Sequence, residues 1–319
     1  MIANNYIKSL TTSTSTDLSF FSRLRAYGEL MRPPNIVTAF ADILAGFSAA
    51  GGAILVSGSA LSVSHPNLGW LLLSTFGLYG GGVVFNDVFD AGLDAKERPE
   101  RPIPSGRASK SGATLAGSVL LLAGMLTAFQ VNRYAGFLAI AISCGALLYD
   151  YWAKHSALWG PLFMGGCRGG NLLLGCSIIP ASLFSLWFLA LLPVAYIGSI
   201  TLVSQGEVHG GDKRSGLGAL ALIILVTLCL FFLGLFPGYT AGTASLFIVL
   251  FAVMVIPPFW KAAFKPEPDL IKKAIKRGVL SLILLNAAIA AGFGGFPVGI
   301  IVVLLLPLSL LISKLFAVT

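Results

Sequence analysis

Asp87, Asp90 and Asp94 follow Asn86 in the run Asn86-Asp87-Val88-Phe89-Asp90-Ala91-Gly92-Leu93-Asp94. On a helix, spacing of i, i+3 and i+7 sets three carboxylates along one face. Bare, such an array repels itself, so it is explicable where divalent cations compensate it. Magnesium takes one or two carboxylates and completes its shell with water and phosphate oxygens. Asn86 is placed to orient a neighbouring carboxylate or to contact phosphate. Several Asp at a helix end are, taken alone, equally an ordinary solvated loop. The continuation Glu97-Arg98-Pro99-Glu100-Arg101-Pro102-Ile103-Pro104-Ser105-Gly106-Arg107 shifts the balance, because it brings three guanidinium groups and rigid prolines beside the acids. Arg forks match phosphate oxygens. Together with carboxylate-held magnesium they make a clamp suited to the charge developing on a departing diphosphate.

Most of the remaining chain is made for lipid. Of 319 residues 56% are hydrophobic and 11% charged, and the mean hydropathy is +0.87, far from globular usage. Apolar runs approaching the roughly 20 residues that cross a bilayer are expected over Asn35 to Ser57, Leu68 to Phe85, Gly112 to Gln130, Tyr134 to Trp152, Leu158 to Ile179 and Leu183 to Val203. Four more are expected over Leu217 to Phe236, Gly242 to Val255, Gly278 to Phe293 and Val298 to Phe316. Gly294-Gly295 with Pro297 divides the last two. The segment 1–30 reads as a polar N-terminal lead, disordered to about Phe20, and 31–319 as one membrane domain. The net charge of +8 follows topology rather than nucleic acid. Basic residues fill the even gaps, and the odd ones hold essentially Arg133. The N-terminus and both acid-rich loops are therefore expected on the cytoplasmic face. Cys144, Cys167, Cys176 and Cys229 lack metal or disulfide spacing and read as packing residues.

Two charges fall inside the apolar runs, Asp42 and Arg168, with Asn171 one turn beyond the latter. A charge in hydrocarbon costs about 2.5–3.5 kcal/mol on insertion scales, so each must find a partner. They read either as a structural pair or as the lining of a polar acceptor pocket. The cluster Tyr149 to Lys154 is an aromatic and basic belt of the interfacial kind. His65 and His155 read as solvated loop residues.

The motif region resembles the UbiA-type intramembrane prenyltransferases. Their first motif, Asn-Asp with further Asp at three and seven residues and an Arg-Pro-x-Arg-Pro-Ile-x-x-Gly continuation, is matched by Asn86 to Asp94 and Arg98 to Gly106. Met31-Arg32-Pro33-Pro34-Asn35 and Tyr149 to Lys154 extend the likeness. Within the superfamily it looks closest to the UbiA-like proteins of bacterial ebo-type gene clusters. The resemblance implies an all-helical membrane bundle of nine core helices, with a tenth apolar segment added here. It also implies magnesium, an isoprenyl diphosphate donor, a lipophilic or aromatic acceptor, surrounding membrane lipids and no nucleic acid, in a prokaryotic plasma membrane.

The family's second motif, Asp-x-x-x-Asp, is where the chain departs. In Gln205-Gly206-Glu207-Val208-His209-Gly210-Gly211-Asp212-Lys213-Arg214-Ser215-Gly216, Asp212 fits but Val208 stands where the first Asp belongs. Glu207 and His209 flank that position as replacement ligands. By resemblance, Asp87, Asp90, Asp94 and Asp212 are the catalytic acids. Asp87, Asp90, Asp94, Glu207 and Asp212 are the magnesium ligands. Asn86, Arg98, Arg101, Lys154, Lys213 and Arg214 are the expected substrate contacts, joined by Glu207 and His209 beside the departed position and by Arg168 and Asn171 on the pocket-lining reading. Competing expectations are a prenyl-diphosphate-binding protein with weakened catalysis, motivated by Val208, and a membrane transporter, motivated by Asp42 and Arg168. Transport leaves the Asp90-to-Gly106 spacing unexplained. The CDP-alcohol phosphotransferases also use a multi-Asp motif, but their Asp-Gly-x-x-Ala-Arg opening is absent before Asp87.

Overall fold

Hydrocarbon offers backbone amides no partner but the chain itself, so apolar runs of this length must become helices. The computed structural model describes residues 20–54, 62–63, 67–207 and 210–316. Its helices are α1 (Phe20–Leu30), α2 (Pro33–Ala49), α3 (Leu68–Glu97), α4 (Lys110–Val131), α5 (Arg133–Tyr151) and α6 (Trp159–Cys176). After them come α7 (Pro180–Leu186), α8 (Leu191–Ser204), α9 (Lys213–Phe232), α10 (Ala241–Phe264), α11 (Pro268–Gly294), α12 (Phe296–Val303) and α13 (Leu305–Ile312). A two-residue antiparallel pair, β1 (Ala53–Ile54) with β2 (Ser62–Val63), is the one departure from an all-helical chain among the described residues.

Seven described helices are long and apolar enough to cross a membrane: α3, α4, α5, α7 joined to α8, α9, α10 and α11. Two more, α2 and α6, contain the charged pair and pack against each other at the centre, α2 also against α3 and α11, α6 also against α5 and α8. With these the described bundle has nine core helices. The shorter stretch Phe296–Ile312 is the added tenth. Ser48 on α2 donates to the Ala290 carbonyl of α11 at 3.0 Å, and Ser309 on α13 donates to the Pro34 carbonyl at the other end of α2 at 3.0 Å. The chain after Gly295 (φ 92°) therefore runs back along α2.

Three expectations change. The second run does not stop at Phe85: α3 continues to Glu97, so the Asp motif is helical throughout. The eighth run passes Pro257-Pro258 and ends at Phe264, a tolerance usual in membrane helices, where neighbours and local adjustment satisfy the freed carbonyls. The first run ends at Ala49 rather than Ser57. Within the N-terminal lead, α1 is ordered, with Ala26 and Leu30 buried, while residues 1–19, like His65 and His209, lie outside the described residues.

Lipid tails are as apolar as Leu, so membrane helices associate through close backbone approach across small residues. At the α2–α6 crossing a Cβ on Gly46 would lie 2.0 Å from the Leu172 carbonyl oxygen, and one on Gly175 would lie 2.4 Å from that of Ile43. Gly46→Ala is therefore expected to force the two central helices apart. The cost should be about 3 kcal/mol, the upper end for overpacking, read as a lower melting temperature in detergent.

Candidate active site

The site is assembled where the last turns of α3 meet three other segments. Between α1 and α2, Arg32 takes a left-handed conformation (φ 47°), which L-residues avoid at a cost of about 1–2 kcal/mol. Pro33 and Pro34 then start α2. The sharp turn directs the Arg32 guanidinium to Asp87, Nη2 to Oδ1 at 2.8 Å. From the loop after α3, Arg101 Nη1 bridges Asp94 Oδ2 at 2.8 Å and Asp87 Oδ1 at 3.3 Å. That loop is closed by amide hydrogen bonds from Arg101 to Arg98, Ser105 to Arg101 and Ala108 to Pro102. Arg107 ties it to α1 through Glu29 at 2.5 Å. After α5, in a short 3-10 turn Ala153–His155, Lys154 pairs with Asp90. One turn earlier Asp150 accepts a 2.8 Å hydrogen bond from the Asn86 amide.

Each acid of the motif thus faces a cation delivered by a different segment. Asp87 and Asp94 are buried and Asp90 is half-buried, so the pairs sit in a recess where such attractions are less screened. Arg98 caps α3 through its backbone amide, donated to the Asp94 carbonyl at 2.8 Å. Its side chain makes no hydrogen bond or ion pair among the described residues.

Further along α2, about 15 Å from Arg32 at 1.5 Å per residue, the interior charges meet. Asp42 is fully buried. It receives Arg168 Nη2 at 3.2 Å, Asn171 Nδ2 at 3.0 Å and Asn286 Nδ2 of α11 at 2.6 Å. Arg168 Nε lies 3.0 Å from Asp42 Oδ2 without hydrogen-bond alignment. The guanidinium also donates to the Thr38 carbonyl at 3.0 Å and lies 5.5 Å over the Tyr79 ring. Thr75 closes the set on Asn171 Oδ1 at 2.6 Å. These groups largely satisfy one another, which favours the structural pair over the pocket lining.

The second acid-rich loop is held by its own contacts. Asp212 is the N-cap of α9, accepting from the Arg214 and Ser215 amides at 2.8 and 3.0 Å and from the Ser215 hydroxyl. That hydroxyl first, then the Ser215 and Arg214 amides, hold the exposed Asp212 carboxyl below its ordinary range. Gly211 donates to the Pro266 carbonyl at 3.1 Å, fastening the loop to the α10–α11 turn. Among the described residues no hydrogen bond or ion pair joins Glu207, Asp212, Lys213 or Arg214 to the α3 cluster. Val208 and His209 lie outside the described residues.

No three acidic, imidazole or thiol groups among the described residues converge as a cage for a metal ion. The donor set nevertheless suits magnesium of the kind that takes one or two protein carboxylates and relies on phosphate oxygens for the rest. Asp87, Asp90 and Asp94 would supply those carboxylates, and Arg32, Arg101 and Lys154, which pair with them here, would be the cations beside a bound phosphate.

The UbiA prenyltransferase family profile matches residues 45–282. The chain belongs to the UbiA prenyltransferase family. This UbiA-family enzyme is 34% identical over 212 residues to the digeranylgeranylglyceryl phosphate synthase of Methanosarcina mazei, covering 63% of this chain and 71% of the relative. It is 30% identical to the synthase of the same name from Methanopyrus kandleri over 238 residues, 74% and 79% of the two chains. Its fold matches a solved structure concerned with digeranylgeranylglyceryl phosphate synthase in membranes (TM-score 0.63, 20% identity, 85% of this chain and 99% of that one). It also matches a UbiA homologue from Archaeoglobus fulgidus bound to GPP and Mg2+ (TM-score 0.57, 15% identity, 87% and 99%). The protein is an integral membrane prenyltransferase. These relatives do not bear on the finer likeness to ebo-cluster proteins.

Arg32, Asp150 and Asn286 were not singled out as site or network residues from sequence. Arg32 precedes two prolines, which fixes a chain reversal beside the motif. Asn286 is a polar residue inside an apolar run, where a partner is obligatory.

Proposed function

We propose that this UbiA-family enzyme transfers a prenyl group, with magnesium, from an isoprenyl diphosphate to a lipophilic acceptor of the glycerophosphate type. The observation that carries it is the set of three α3 carboxylates, each opposed by a cation from another segment. Arg32, Arg101 and Lys154 would hold the donor's phosphate oxygens, and Asp87, Asp90 and Asp94 would hold magnesium beside them. Bound magnesium supplies Lewis-acid stabilisation of the leaving diphosphate. The donor C1–O bond breaks with its electron pair leaving on diphosphate, which the two guanidinium groups and Lys154 hold. A new bond forms between C1 and an acceptor hydroxyl oxygen, and the hydroxyl proton passes to the departing diphosphate. The apolar bundle excludes water from the allylic cation. The acceptor class is supported by the names of the relatives, and the motif face is assigned to the cytoplasm by the distribution of Lys and Arg.

The test is to incubate purified protein with magnesium, prenyl diphosphates of several lengths and candidate acceptors, glycerophosphate lipids and aromatic ones in parallel, following pyrophosphate and prenylated product. Product with the glycerophosphate series alone supports the reading, and product with aromatic acceptors alone overturns the acceptor class. Absence of turnover with every donor defeats the enzyme itself. For the second loop, Glu207→Gln is expected to raise the magnesium concentration needed for half-maximal rate severalfold if Glu207 replaces the ligand missing at Val208. An unaltered titration rules that role out.

A further inference from the structure

The cations on the motif face fall into two unlike groups. Around α3, Arg32, Arg101, Arg107 and Lys154 pair with acids, while the Arg98 side chain does not. Across the second loop, the end of α10 and the start of α11, Lys213, Arg214, Lys261, Lys265, Lys272, Lys273, Lys276 and Arg277 are all exposed. None of these eight makes an ion pair among the described residues. The segments form one surface, joined by the Gly211 to Pro266 hydrogen bond and by Lys213 lying 5.4 Å over the Phe264 ring.

Local energetics oppose this arrangement. Lys272 and Lys276, and Lys273 and Arg277, stand at i, i+4, where like charges destabilise a helix. Asp269, the one acid in the first turn of α11, stands one turn before Lys272 and Lys273 and offsets only part of this repulsion. The opposite face of the same turns, Ile271, Ala274, Ile275 and Gly278, is buried in the bundle, so the charges cannot turn inward. A topological bias asks only for cations on this side and is served equally by a loose loop. A rigid cluster of like charges at i, i+4 is one that an external anion would stabilise. Trp260 is exposed, its ring tilted against that of Phe264 with centroids 4.7 Å apart, and Trp is of the type that settles at headgroup level.

We propose that this ledge binds the phosphate headgroups of anionic phospholipids in the leaflet it faces. Six of the eight cations are Lys, compact point charges that do not impose a bidentate geometry, so selection is by charge rather than by headgroup shape. Clusters of four to eight such residues beside a membrane helix suffice for this kind of attraction. The proposal concerns bulk lipid and is read without turnover, so it stands or falls separately from the prenyl-transfer reading.

The experiment uses the full chain in detergent equilibrated with equal phosphatidylglycerol, phosphatidylserine and phosphatidylcholine, re-isolated, with bound lipid quantified by mass spectrometry. Expected is severalfold enrichment of both anionic lipids, similar for the two. It should be lost in high salt and reduced at least by half in Lys272→Gln/Lys273→Gln/Lys276→Gln/Arg277→Gln, and unchanged in Arg133→Gln. Inorganic phosphate at matched ionic strength should not compete, whereas competition would mark a free-phosphate site and overturn the lipid assignment. No preference over phosphatidylcholine, or a preference indifferent to salt, also overturns it. The salt arm uses the unaltered protein and decides the matter even where the fourfold variant fails to fold.

Discussion

Asp90→Asn is expected to lower pyrophosphate release by a factor on the order of 10³, with the protein still folded. The estimate takes the upper end of what removing one preorganised electrostatic contact costs at a transition state. Asn matches Asp in shape, so what is lost is the charge that pairs with Lys154 and offers an oxygen ligand. The Asp90 side chain is 20% exposed and holds one cation, so little of the fold rests on it. Asp87 is a poorer probe, because both Arg32 and Arg101 lean on it. Pyrophosphate release measured at saturating donor across a magnesium series checks the prediction. A rate within a few-fold of the unaltered protein would remove the α3 cluster from the reaction.

Asp42→Ala is expected to act on the fold rather than on the chemistry. Removing one member of a buried ion pair costs about 3–5 kcal/mol, because the other charge stays behind without compensation. Here Arg168 would be left among apolar helices, and the Asn171 and Asn286 amides would lose their shared acceptor. The expected result is a large fall in melting temperature and folded yield in detergent, with an unchanged donor KM in whatever remains folded. Asp42→Leu with Arg168→Met should be milder than Asp42→Ala alone, since no lone charge remains. A raised KM at undiminished stability would instead return Asp42 and Arg168 to the acceptor pocket.

What was legible in the sequence follows from how strongly each feature is constrained locally. The bundle was readable because hydrocarbon length sets helix length, and Gly295 with Pro297 marks the final turn. The acid face was readable because i, i+3, i+7 is a property of one helix. Its continuation as a helix to Glu97 was not, since Asp, Gly and Asn inside Asn86 to Asp94 argue locally for a loop, and the ion pairs that hold the turns together come from distant segments. Arg101 and Lys154 were anticipated as site cations, and they converge on the acids. Their particular carboxylates were not, because residue 154 reaches residue 90 only through the packing of α5 on α3. For Asp42 and Arg168, the need for a partner was plain from burial cost, while the Asn286 amide that joins them comes from 244 residues further along the chain.

That separation also sets a schedule. A chain made from its N-terminus delivers α2 to the membrane with Asp42 already inside it. The counter-charge Arg168 follows 126 residues later, and the Asn286 amide later still. The Pro34 carbonyl, which opens α2, receives Ser309 only after α13 has come back along the bundle. The first central helix is thus the last to gain all of its hydrogen-bond partners.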